Sequence, residues 1–189
     1  MLKPMRPDMR MRLIWPAFIL AVLAAGSWLL WHRAGTADFV RLMNRGNNLM
    51  RKGDLEAAVR AYNKALDASP ESTDARLNIA NACLRLNRDV DALEMAKQTL
   101  ALDRNNPAAY YLMGCAYMHL SQWKAAVQAF QQSQAIDPRV TALNFQLGLA
   151  HEALGERQEA LNDFEAVTLY DPSHPTAHYL LSRLYDRLG

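Results

Sequence analysis

The chain has 189 residues, 51% hydrophobic and 21% charged, the composition of a folded domain with an appendage and not of a disordered chain or a low-complexity fibre. Two cysteines exclude a disulfide-dense scaffold and a four-cysteine zinc site. The net charge of +2 is local: residues 1–37 hold five basic side chains and one acid, while the rest hold 16 basic and 18 acidic, so the body has no basic excess to draw it to nucleic acid.

The first element is residues 13–31, LIWPAFILAVLAAGSWLLW, a run of 19 residues without a charge. As a helix it would span about 28 Å, close to the roughly 30 Å hydrocarbon core of a bilayer. Pro16 falls in the first turn, where its missing N–H costs little. Trp15 marks one end of the run and Trp28 and Trp31 the other, the depths that tryptophan favours at a membrane interface. Lys3, Arg6, Arg10 and Arg12 precede the run, and the positive-inside rule then places the N-terminus in the cytoplasm and residues 34–189 across the membrane. The expectation is a single-pass protein of a bacterial inner membrane with a periplasmic body. A cleaved signal peptide is the competing reading, since Gly35, Thr36 and Ala37 offer small residues before Asp38. Between Trp31 and Asp38 stand six residues, a tether of about 20 Å at full extension.

From residue 39 the chain repeats with a period of 34, in the stretches 39–72, 73–106, 107–140 and 141–174. Each unit holds two apolar-periodic segments of about 14 residues, which predicts a helix pair. Gly46, Ala80, Gly114 and Gly148 recur at one offset and Ala58, Ala92, Ala126 and Ala160 at another, so the two helices are expected to approach closely there. Tyr62, Phe130 and Phe164, four residues beyond those alanines, fill the space between them, whereas the second unit has Ala96. Gly53, Asn87, Ser121 and Gly155 stand where the first helix of each pair must stop, and left-handed caps suit Gly and Asn. Ser-Pro at 69–70 and Asp-Pro at 137–138 and 171–172 close the second helix; the second unit has Arg104 in place of proline. Residues 175–188 begin a fifth unit and stop after one helix, whose Tyr179, Leu180, Leu181, Leu184 and Tyr185 are expected to cap the stack, or else to accept another subunit or a missing continuation.

These residues resemble the tetratricopeptide repeat (TPR) pattern Leu-Gly-x-x-Tyr…Ala-x-x-x-Phe…Pro, most fully in the third unit (Gly114, Tyr117, Ala126, Phe130, Pro138). The resemblance covers 39–174 and implies an all-α fold, a right-handed solenoid of antiparallel helix pairs behind one N-terminal transmembrane helix. It also implies a concave groove lined by the first helix of each repeat. Carried onto this chain, the groove positions include Met43, Asn47 and Met50, then Leu77, Asn78, Asn81 and Leu84, then Tyr111, Cys115 and Met118, then Phe145 and Leu149, and finally Tyr179. Some members of the family clamp a C-terminal carboxylate with Lys, Asn and Arg. Here Asn47 and Asn78 match, but Met43, Ala108 and Leu112 stand where cations are needed, and a carboxylate would be desolvated for little return. The groove instead suits an apolar or amphipathic segment of a protein partner. In the same frame Cys83 faces the core and Cys115 the groove, so both are expected as free thiols.

Signals for catalysis fail one by one. His151-Glu152 opens like a zinc-protease motif, but Gly155 replaces the second histidine. His174 and His178 have no acid or cysteine cluster beside them in sequence, and no glycine-rich phosphate loop is present. The reading is a binding protein without a cofactor or metal: a membrane-tethered scaffold, with an assembly chaperone or a self-assembling structural protein joined through the C-terminal helix as alternatives.

Overall fold

The computed structural model describes residues 36–138 and 142–188, and every regular element in them is a helix. The apolar run 13–31, expected to anchor the chain, lies outside the described residues. Among those described, no helix is long and apolar enough to cross a membrane.

Helix α1 occupies residues 36–52, followed by α2 (Leu55–Ala68), α3 (Thr73–Arg85), α4 (Asp89–Leu102) and α5 (Pro107–His119). The series continues with α6 (Trp123–Ile136), α7 (Ala142–Leu154), α8 (Arg157–Tyr170) and α9 (Pro175–Leu188). The starts of α2, α4, α6 and α8 fall 34 residues apart. Each helix packs on its chain neighbours, and the core is a continuous stack of three apolar clusters centred on Tyr62, Phe130 and Phe164.

One turn joins the two helices of every pair. The residue that ends the first helix is left-handed in each case: Gly53, Asn87, Ser121 and Gly155 have φ of 79°, 56°, 57° and 78°. That turn lets the next N–H reach back to a carbonyl five residues earlier, Arg88 to Cys83 and Gln122 to Tyr117 at 2.8 Å each. Two orphan carbonyls of the helix end are thereby satisfied, the logic of a Schellman cap. First helices are started by side chains: Ser72 accepts from the Ala75 N–H and Asn106 from the Ala109 N–H. His174 does the same for α9, its Nδ1 accepting from Ala177 N–H at 3.2 Å.

The small residues act as expected within each pair. A Cβ on Gly148 would come within 2.6 Å of the Phe164 ring, and one on Gly114 or Gly46 would collide with Phe130 or Tyr62. The ring therefore sits against bare backbone, and all three rings are essentially inaccessible to water. The second pair solves the same contact differently. Ala80 carries the Cβ that glycine lacks, the aromatic is replaced by Ala96, and both are fully buried. That exchange of bulk explains why the second unit departs from the pattern without departing from the fold.

The two ends of the stack differ. Arg41, Arg45 and Asn48 on α1 are exposed, at the register where later units bury Ala75, Ile79 and Ala82, or Leu143, Leu147 and Ala150. A depression of about 930 Å³ runs along that polar face, lined by residues such as Val40, Asn44 and Lys52. At the other end α9 buries Ala177, Leu180, Leu181 and Leu184, the last three against α8, and leaves Tyr179 and Tyr185 exposed.

Candidate functional site

The first helices of successive pairs touch one another, α3 with α5 and α5 with α7, more closely than the second helices do. A stack that is closer on one side curves toward that side, so the inner surface is built by the first helices. Along them the sequence places Met, Leu, Tyr, Phe and Asn at the expected groove positions.

Those side chains divide by depth. Asn47, Asn81 and Tyr179 are exposed, while Met43, Met50, Leu77, Asn78, Tyr111, Cys115, Met118, Phe145 and Leu149 are half-buried. Leu84 corrects the expectation: it is 8% exposed, belongs to the core cluster with Cys83 and Ala82, and offers no surface to a ligand. It stands in the last turn of α3, and the same cluster holds Leu112 and Ala116 of the adjacent α5.

The half-buried residues serve the core as well as the surface. Tyr111 tilts against Phe130 with ring centroids 5.9 Å apart, and Phe145 against Phe164 at 5.8 Å. Phe145 also carries the His174 ring at 5.0 Å. Burial, and then the neighbouring Cys115 sulfur, push the Tyr111 hydroxyl up to about 12. Burial likewise raises the Cys115 and Cys83 thiols, and both cysteines are free. Such thiols are poor nucleophiles, since reactivity belongs to the thiolate.

Polar groups on this surface are more committed than the sequence implied. The Asn47 side-chain oxygen accepts from the Tyr62 hydroxyl at 2.7 Å, which ties α1 to α2 and occupies that acceptor. Asn78 and Asn81 stand further along, on α3. At the C-terminal end Arg183 pairs with Glu152, and its guanidinium lies 5.8 Å from the centre of the Tyr179 ring. Arg187 approaches Glu152 at 3.8 Å. The Glu152–Arg183 link went unforeseen, although opposite charges on successive first helices were visible as its signal.

The histidines are structural in their contacts. His151 is 8% exposed, and its Nδ1 lies 2.6 Å from Asp163 Oδ2, joining α7 to α8. Burial of the Asp163 carboxyl raises its pKa, against the lowering effect of that ring. His119 Nδ1 meets Asp89 at 2.6 Å and joins α5 to α4. His178 Nε2 lies 2.9 Å from the Pro172 carbonyl. Among the described residues no group of three or more His, Cys, Asp or Glu side chains is placed to hold a metal ion.

Known proteins share this architecture. Family models described as tetratricopeptide repeat match residues 49–114, 107–140 and 145–189. A DnaJ homolog subfamily C member 7 homolog of Schizosaccharomyces pombe is 34% identical over 89 residues, 45% of this chain and 19% of that protein. Cellulose synthase operon protein C of Pseudomonas fluorescens is 34% identical over 87 residues, 46% of this chain and 7% of that protein. The chain thus spans a small part of the length of these curated relatives. Among solved structures, the MamA protein superposes with a TM-score of 0.70 at 27% identity, over 79% of this chain and 81% of that one. YrrB, described as a TPR protein with an unusual peptide-binding site, gives a TM-score of 0.64 at 28% identity, over 77% of this chain and 75% of that one. A 34-residue helix-pair period, glycine seats under aromatic rings and three matching family models have one conclusion: the chain belongs to the tetratricopeptide repeat family.

Proposed function

We propose that the protein is a membrane-tethered scaffold whose inner helix surface holds an apolar or amphipathic segment of a protein partner and so assembles a complex of the bacterial envelope. The observation that carries this reading is the half-exposed row formed by Leu77, Tyr111, Met118, Phe145 and Leu149 on α3, α5 and α7. Methionine adapts its shape to varied apolar surfaces, and aromatic rings anchor a partner at low entropic cost. The ring stacks beneath Tyr111 and Phe145 hold these anchors in place before a partner arrives, which reduces the ordering cost of binding. A peptide-binding site in the similar protein YrrB supports a peptide as the kind of ligand. The absence of cations at positions 43, 108 and 112 turns the preference away from a C-terminal carboxylate.

The tether is the apolar run 13–31, with the N-terminus cytoplasmic and the repeats periplasmic. Binding and topology are tested together on the full chain. Fusion of alkaline phosphatase after Gly189 should be active, and the chain should stay with membranes through carbonate extraction. Purified in mild detergent, it should carry a partner in fixed ratio, and Asn81→Glu, an exposed change, should release that partner at unchanged melting temperature. An inactive fusion overturns the topology. A partner retained by Asn81→Glu, or a shifting set of unfolded chains in place of one partner, overturns the scaffold; the latter outcome describes a chaperone.

A further inference from the structure

Antiparallel packing gives the stack two edges. The turns at Gly53, Asn87, Ser121 and Gly155 line one of them. At the other, second helices end and first helices begin; there Ser133, in the last turn of α6, donates to the Pro107 carbonyl at the start of α5 at 2.8 Å. The final residues of α4, α6 and α8 are Leu102, Ile136 and Tyr170, one register 34 residues apart, and they are 49%, 36% and 66% exposed. Leu169, beside Tyr170, is 78% exposed. Among the described residues from α2 to α8, Val90 is the one other large apolar side chain exposed to this degree. Its counterparts at the turn edge are Glu56, Lys124 and Gln158, all polar. Single exposed apolar residues are ordinary, but three in one register along one edge form a surface.

What lies against this edge follows from where the chain enters it. The described part of α1 starts at residue 36, and α1 packs antiparallel on α2 with Gly46 against Tyr62. Its start is therefore level with the end of α2, on the edge that carries the apolar row. Residue 36 is five positions beyond Trp31, the end of the apolar run, a reach of about 18 Å at most. A tether in that run draws this edge, and not the turn edge, toward the bilayer. We infer that the Leu102–Ile136–Tyr170 edge rests on the surface of the membrane that anchors the chain, with these side chains at the boundary of headgroups and acyl chains. This orientation rests on the tether proposed above and deepens it. Leucine and isoleucine gain by leaving water there, and tyrosine suits that depth because its ring is apolar and its hydroxyl polar. Charge at the edge sets the kind of contact. Asp103, Asp137 and Asp171 directly follow the three helix ends, so the contact is apolar and not an attraction to anionic headgroups. Asp103 accepts from Asn105 and Asn106, and Asp171 from Ser173, which keeps these two carboxylates folded into their own loops. A few side chains hold a surface weakly by themselves, and the tether supplies the effective concentration.

The test uses the full chain reconstituted in phosphatidylcholine vesicles, with a genetically encoded fluorescent side chain at 136 or at 124, an exposed position on the turn edge. Lipids brominated near the headgroup end of the acyl chain should quench position 136 at least about twofold more than position 124. Added salt or anionic lipid should change this little. Leu102→Glu combined with Tyr170→Glu should bring quenching at 136 down to that at 124, at unchanged melting temperature, since both residues are exposed. Carbonate extraction of the same vesicles reports the tether separately. A chain that is extracted overturns the tether and the orientation together. A retained chain quenched equally at both positions, quenching at 136 untouched by the two glutamates, or quenching that requires anionic lipid overturns the orientation alone. So does capture of a second copy or another protein by a photoreactive side chain at 136 in place of quenching.

Discussion

At the level of single residues, the glycine seats decide the packing. Gly114→Ala places a methyl group into the Phe130 ring, which has no space to retreat in a fully buried position. The expected loss is about 1–3 kcal/mol. Urea denaturation measures it, and replacing Phe130 with leucine in the same chain should recover part of the loss. These seats were legible in the sequence because a glycine and an aromatic recurred at fixed offsets. The depth of the groove side chains was not, because a position on the inner face says nothing of how far a neighbouring helix overhangs it. Leu84 and Met118 share a register, yet one is buried and the other half open. Tyr111 supplies a spectroscopic check on that depth. With its hydroxyl held up at about 12, its neutral form contributes stability that is complete below the ordinary tyrosine value of 10.0 and is lost as pH rises from there through about 12. Absorbance titration should therefore show a late tyrosinate step near pH 12, and Tyr111→Phe should remove it.

At the level of helices, the caps carry information that the apolar pattern does not. Four turns of one design end α1, α3, α5 and α7, and two of them place a non-glycine residue in left-handed geometry, Asn87 and Ser121. Asparagine tolerates that region better than serine, so the strain is concentrated at Ser121. Ser121→Gly should raise stability by about 0.5–1 kcal/mol, and a β-branched Ser121→Val should lower it, both read from thermal melts. Gly and Asn at this offset mark the turn in the sequence itself, because few other residues accept a positive φ. His174 leaves no such mark, because histidine is uncommon as an N-cap. Its capping bond to Ala177 and its contact with Phe145 depend on where α8 delivers the loop.

At the level of the whole molecule, the stack is asymmetric from end to end and from side to side. Among the described residues, α1 at one end exposes Arg41, Arg45 and Asn48, and α9 at the other exposes Tyr179 and Tyr185. The first helices converge on the inner side, so a row of residues dispersed through the sequence becomes one surface. Periodicity made the repeats and this row legible, because each 34-residue unit buries its apolar face only against its neighbours. Partner identity is a property of another chain and leaves no periodic trace here.

Site-specific photo-crosslinking in intact cells decides whether the inner surface is the working one. A photoreactive side chain at position 81 sits on the exposed inner side of α3, and one at 128 sits exposed on α6, a second helix. Neither disturbs the core. If the partner lies along the first helices, position 81 captures one dominant protein and position 128 does not. Capture of the same species from both positions, or from 128 alone, would contradict the groove as the binding surface.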